Sequence, residues 1–163
     1  MATRKRPNKK GLLQSPGLIM GALILVLLLP AGFMLAQNNS FTPVLPDPVE
    51  YPSPERLTIG SPEASLVLEE YSDFQCPACK RFHDSIFPVL LSDYIEPGHI
   101  AFTYQPLPIL DSRGGNDSQK AAEAALCAAD QDSFWPYHDV LFANQGEINS
   151  GRYSEKNLVA MGN

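Results

Sequence analysis

Two cysteines separated by two residues, Cys76-Pro77-Ala78-Cys79, stand where a β-prone run passes into a helical pattern. That junction constrains the fold more than any other feature of the chain. Ser65 to Tyr71, SLVLEEY, reads as a buried strand, and Ser72 to Gln75 as a short polar turn. From Cys76 to Tyr94 the apolar residues Phe82, Ile86, Val89 and Leu90 recur at helical spacing, with Pro88 expected to bend the helix. Glu96-Pro97-Gly98 ends it, and Ile100 to Leu107 reads as a second strand closed by Pro106 and Pro108.

Beyond the loop Asp111 to Asp117, Ser118 to Ala129 is a helix with an alanine-rich face that allows close packing. Asp132 or Ser133 caps a helix carrying Phe134, Tyr137, Leu141 and Phe142, and Ser154 opens a last short helix stopped by Gly162. Strand, helix, strand and then helices describe an α/β unit with a parallel pair at its centre.

Cys76 at a helix start has a chemical logic. Unpaired backbone N–H groups and the helix dipole favour a thiolate there, and the thiolate is the attacking species in disulfide exchange. Pro77 suits the first helical position because its missing N–H has no partner to lose. Two intervening residues place both sulfurs on one turn, so Cys79 can resolve a mixed disulfide formed at Cys76. The competing reading is half a metal site. His83 extends the pattern to C-x2-C-x3-H, but no second ligand pair stands near it, and Cys127, His99 and His138 are scattered singly. An extracytoplasmic copper- or zinc-binding module on Cys76, Cys79 and His83 is the alternative this leaves open.

Residues 18–36, LIMGALILVLLLPAGFMLA, contain no charge and are just long enough, at about 1.5 Å each, to span a bilayer core as one helix. Arg4, Lys5, Arg6, Lys9 and Lys10 precede them, so residues 1–17 form a basic tail held in the cytoplasm. Cleavage after Ala36 or Ala31 would need a small residue at Met34 or Leu29, which favours a retained signal anchor over a cleaved leader. Either reading exports the body to a disulfide-permissive compartment. Residues 37–58, with Pro43, Pro46, Pro48, Pro52 and Pro54, read as a semi-rigid extended linker, or alternatively as an arm packed on the domain. From residue 11 onward seven basic and eighteen acidic side chains leave a net charge of -11, which argues against nucleic acid as a partner.

The stretch Tyr71-Ser72-Asp73-Phe74-Gln75-Cys76-Pro77-Ala78-Cys79-Lys80-Arg81-Phe82-His83 resembles the active-site segment of the DsbA-like thioredoxin-fold oxidoreductases, in particular their membrane-anchored BdbD-like branch. The resemblance continues through Ala121-Ala122, Cys127-Ala128, Phe134-Trp135-Pro136-Tyr137-His138 and Leu141-Phe142-Ala143-Asn144-Gln145. It implies a thioredoxin-like domain over 59–163, with a helical insertion over 116–163, behind a single transmembrane helix. It further implies Cys76 and Cys79 as the redox pair, no cofactor and no metal. Cysteine-containing secreted proteins would be the substrates, and a membrane reoxidase of the DsbB or VKOR type the electron acceptor.

Asp73, Phe74, Pro77, Ala78 and His83 are candidate neighbours of the site. Asp73 is read as tuning the thiol or capping the turn, and His83 as facing the sulfurs or solvent. At most one of Glu69 and Glu70 is expected to point inward, the other being a solvated surface charge. Phe134, Trp135 and Tyr137 line a groove or pack beneath the insertion.

Relatives continue into a cis-proline Thr-Pro loop, two antiparallel strands and a closing helix. The only Thr-Pro here is Thr42-Pro43. The chain is therefore expected to be incomplete at its C-terminus, with an unpaired sheet edge, and an inactive remnant is a second alternative. Cys127 is left without a partner; in several relatives a cysteine of this helix pairs with one further along.

Overall fold

The computed structural model describes residues 41–163. The run 18–36 and the basic tail lie outside them; among the described residues no helix is long and apolar enough to cross a membrane. The elements are β1 (Thr58–Ile59), β2 (Leu66–Ser72), α1 (Pro77–Ser85), α2 (Phe87–Leu90), β3 (Ile100–Pro106), α3 (Asp117–Ala129), α4 (Phe134–Ala143) and α5 (Glu155–Met161). A π-helical turn, Leu91–Ile95, extends α2, and a 3-10 turn, Leu110–Arg113, occupies part of the expected loop before α3.

β2 and β3 form the expected parallel pair, in register from Leu66 opposite Ile100 to Ser72 opposite Pro106. Short β1 adds antiparallel to β3, so the described strand order is β1-β3-β2 and β3 is central. This order corrects the reading of β2 as a buried strand. Leu66, Val67, Leu68 and Tyr71 are exposed, and among the described residues β2 pairs only through β3. Apolar, β-branched composition marks a strand without saying whether both of its edges are covered.

The long helix expected from Cys76 to Tyr94 is split at Ile86 rather than bent at Pro88. Pro88 has no N–H to donate four residues back to Asp84, and its ring crowds that carbonyl, so the first helix ends at Ser85 and a second starts at Phe87 with Pro88 in its first turn. Ser133 stands at the start of α4 without capping it, because its hydroxyl is within 3.1 Å of the Gln131 carbonyl instead.

The core lies between the sheet and the helices. Phe74, Phe87, Phe102, Tyr104, Phe134, Trp135 and Phe142 are all buried there, each such side chain worth about 1.5–3 kcal/mol when fully removed from water. Ala121, Ala125 and Ala129 bring α3 close to this layer, as its alanine face suggests. Trp135, 3% exposed, and Tyr137 pack beneath the insertion, which settles their packing reading.

From Phe41 to Leu57 the proline-rich stretch forms no regular element, and it lies on the body. Arg152 sits 5.2 Å above the Phe41 ring. The Asn144 side chain accepts from Val44 N at 2.8 Å and donates to Val44 O at 2.7 Å. The Tyr51 ring rests 5.1 Å from that of Trp135.

Candidate active site

The turn that delivers Cys76 is built around a buried carboxylate. Asp73 accepts from Gln75 N at 2.9 Å, Leu110 N at 3.0 Å and the Ser118 hydroxyl at 2.8 Å, while its carbonyl accepts from Cys76 N at 2.8 Å. Turn formation is thus the role the geometry assigns to Asp73. Phe74, 1% exposed, anchors the turn in the core, stacked 5.3 Å from Tyr104 and tilted 5.1 Å from Phe142.

Buried Gln75 ties the turn to the helical insertion. Its amide donates to Ser118 Oγ at 2.7 Å and accepts from Asn149 N at 2.6 Å. On the other side Gln145 Nε2 donates to the carbonyls of Phe74 at 2.7 Å and Cys76 at 3.1 Å, and the Tyr153 hydroxyl lies 3.1 Å from Phe74 O. Both glutamines lie in the stretches that carry the family resemblance, but their burial and partners were not legible, because a polar loop residue reads the same whether it is solvated or buried.

Cys76 is the N-cap of α1 with extended backbone (φ -76°, ψ 119°), and Pro77 occupies the first turn. Pro77 and Ala78 are exposed, while Cys76 and Cys79 are half-buried free thiols. Cys79 packs against the core cluster. Burial pushes its thiol up, and the neighbouring Cys76 adds to this; the Ser72 hydroxyl and the Asp73 backbone pull the other way. Glu70, and not the exposed Glu69, is the inward acid. Burial raises its carboxyl, opposed by the Ser72 hydroxyl and the His83 charge. Ser72 Oγ and Tyr104 OH, both buried without a well-formed hydrogen bond, lie close to one another, and Cys79 acts on the Tyr104 hydroxyl.

His83 neither joins the sulfurs as a ligand nor faces solvent. Its Nδ1 lies 3.0 Å from Asp84 Oδ1, and its Nε2 lies 3.1 Å from Asp139 Oδ1. With a carboxylate at each nitrogen, the ring satisfies both contacts only as an imidazolium. Burial acts to lower its proton affinity, but the hydrogen bonds with Asp139 and Asp84 outweigh that and hold it above the ordinary histidine value. Asp139 also meets His138 Nδ1 at 3.0 Å and receives the Tyr51 hydroxyl at 2.7 Å. Burial pushes the Asp139 carboxyl up, and these partners bring it down to about 2. His138 is kept neutral by burial.

His83, His138 and Asp139 have donor atoms within 4.8 Å of one another, and they are the group of metal-ligand type found among the described residues. His83 faces Asp84 and Asp139, so among the described residues Cys76, Cys79 and His83 do not form a group with converging donor atoms. Cys127 is exposed on α3.

Over 87 residues the chain is 31% identical to disulfide bond formation protein D of Bacillus subtilis (strain 168), matching 53% of this chain and 38% of that protein. Over 96 residues it is 38% identical to the Na(+)/H(+) antiporter NhaA 1 of Salinispora arenicola (strain CNS-205), matching 58% of this chain and 14% of that one. The crystal structure of oxidised BdbD from Bacillus subtilis superposes with a TM-score of 0.53 at 28% identity, over 68% of this chain and 57% of that chain. The chain therefore spans well under half the length of these two curated relatives. A family model described as Thioredoxin matches residues 52–161, two-thirds of the chain. With a strand-to-helix dithiol held by a helical insertion, the chain belongs to that thioredoxin family.

Proposed function

We propose that this chain is an exported, membrane-tethered thiol–disulfide oxidoreductase that forms disulfides in secreted proteins through Cys76 and Cys79. The observation that carries the reading is the placement of the pair. Cys76 is the N-cap residue of α1, its side chain making no capping hydrogen bond, and Cys79 lies one turn on against the core, where burial raises its thiol.

In the oxidising direction a substrate thiolate attacks Cys76 Sγ of the Cys76–Cys79 disulfide. A substrate–Cys76 disulfide forms, and Cys79 leaves as a thiolate that takes up a proton. A second substrate thiolate then attacks the substrate sulfur of that mixed disulfide and releases Cys76 as thiolate. The substrate loses two electrons and the enzyme dithiol gains them. We assign Glu70, whose carboxyl is raised by burial, to exchange the Cys79 proton through the Ser72 hydroxyl, which acts on both groups.

The name of the Bacillus relative, a disulfide bond formation protein, favours oxidation over reduction. The electrons then pass to a membrane reoxidase of the DsbB or VKOR type, for which an anchor over residues 18–36 supplies proximity. Cysteine-containing secreted proteins are the substrate class.

The test uses the full chain in detergent, oxidised and then mixed with a reduced peptide dithiol. One peptide disulfide should form per protein disulfide consumed, and none with Cys76→Ser. Absence of exchange by the unaltered chain overturns the reading in favour of an inactive domain.

A further inference from the structure

Two backbone carbonyls of the active-site turn converge on one side-chain amino group. Gln145, in the loop after α4, donates from Nε2 to Phe74 O at 2.7 Å and to Cys76 O at 3.1 Å. Both partners are acceptors, so the amino end of the amide must face them. The loop itself is fixed, because Gln145 N donates to Phe142 O at 3.2 Å and the adjacent Asn144 is tied to Val44.

We propose that Gln145 is a positioning residue that sets the redox poise of the Cys76–Cys79 pair; the proposal rests on the oxidoreductase reading above. Covalent geometry keeps the Cys76 carbonyl oxygen within about 5 Å of its own sulfur. Negative charge that develops on Cys76 Sγ when the disulfide is reduced stands that close to a carbonyl oxygen held by Gln145. The two N–H groups of Gln145 offset that charge. In the disulfide the sulfur is neutral and the compensation counts for little. Gln145 therefore stabilises the reduced form selectively, which makes the disulfide a stronger oxidant.

Lys80 is the nearest alternative source of positive charge on α1. Its Nζ is engaged by Asp84 on the same helix and donates at 2.9 Å to Phe142 O, the carbonyl that also accepts from Gln145 N, and it makes no hydrogen bond to Phe74 O or Cys76 O. The Tyr153 hydroxyl reaches Phe74 O but makes no contact with Cys76 O, so it serves as an internal control.

The experiment equilibrates the full chain in detergent with glutathione redox buffers and reads the fraction of Cys76–Cys79 disulfide. Gln145→Met, of similar volume without donors, should shift the equilibrium toward the disulfide by about three- to tenfold. Gln145→Lys, which restores N–H donors, should stay within about twofold of the parent or move toward the dithiol, and Tyr153→Phe should stay within about twofold. An unshifted Gln145→Met, or a Tyr153→Phe shift as large, overturns the assignment. Should Gln145→Met fail to fold, Gln145→Glu and Gln145→Lys must move the equilibrium in opposite directions, and equal shifts overturn it. If the parent chain reaches no equilibrium with glutathione, the oxidoreductase reading itself fails. If the parent equilibrates and the variants do not shift, only the role of Gln145 fails.

Discussion

His83 of α1 and Asp139 of α4, 56 positions apart in sequence, meet at 3.1 Å and join the dithiol-bearing helix to the helical insertion. Asp84 and Lys80 flank His83 on its own helix, Glu70 approaches from β2, His138 shares Asp139, and Tyr51 closes the cluster from the arm. The folded His83 is raised above its ordinary 6.5, so it contributes stability that is full below pH 6.5 and is lost as pH rises through the folded value. Urea midpoints of the parent should therefore fall on going from pH 6 to higher pH. His83→Gln should cost about 1.5–3 kcal/mol at pH 6 and flatten that part of the profile. A parent profile as flat as the variant's would show that His83 is not the titrating clamp.

Asp139 has the opposite sign. Its carboxyl is depressed from 3.8 to about 2, so its contribution is full above pH 3.8 and is lost as pH falls toward 2. That shift corresponds to about 2 kcal/mol at neutral pH. Asp139→Asn should remove the acid limb of the stability profile between these values. It should also be less stable than the parent at pH 7, since His83 loses a charged partner. An acid limb that survives the substitution would assign acid sensitivity to another carboxylate.

Which parts of this arrangement were legible beforehand follows from how local each signal is. The β2-to-α1 junction, the Cys76 N-cap and the parallel pairing of β2 with β3 rest on period and spacing within about thirty residues, and they appear as expected. The exposure of Leu66, Val67 and Tyr71 was not legible, because burial of a strand depends on what pairs with its far edge. Nor was the partner of His83. A histidine on a helix reads identically whether Asp139 or water stands opposite. Proline content denied residues 41–57 a regular element, but it carries no information on whether Phe41 and Tyr51 pack.

The inward orientation of Glu70 predicts a division of labour between the two thiols. Glu70→Gln keeps the shape but cannot take up a proton, so steps in which Cys79 gains or loses one should slow by about a hundredfold at neutral pH. Alkylation of Cys76 in the reduced protein should proceed at the parent rate. With a disulfide peptide as substrate, Cys79→Ser should accumulate a mixed disulfide on Cys76, because Cys76 displaces one peptide thiolate and no Cys79 thiolate remains to resolve the product. Quenched-flow separation of mixed disulfide formation from its resolution measures both. A Glu70→Gln variant slowed equally in both steps would argue for a general distortion of the site.

Asn144 fastens the arm by a reciprocal pair of hydrogen bonds, Val44 N to Oδ1 and Nδ2 to Val44 O, in the manner of a neighbouring strand. Nδ2 is also within 2.8 Å of Val140 O, so the side chain is held from below before the arm arrives. Asn144→Ala removes all three contacts and should cost about 1–3 kcal/mol. It should also abolish hydrogen-exchange protection of the Val44 amide, while the amides of β3 stay protected. Tyr51, bonded to Asp139 and packed on Trp135, should still hold its part of the arm, so the loss should be confined to residues upstream of it. Retained protection at Val44 in Asn144→Ala would mean that the arm is secured by its apolar side chains alone.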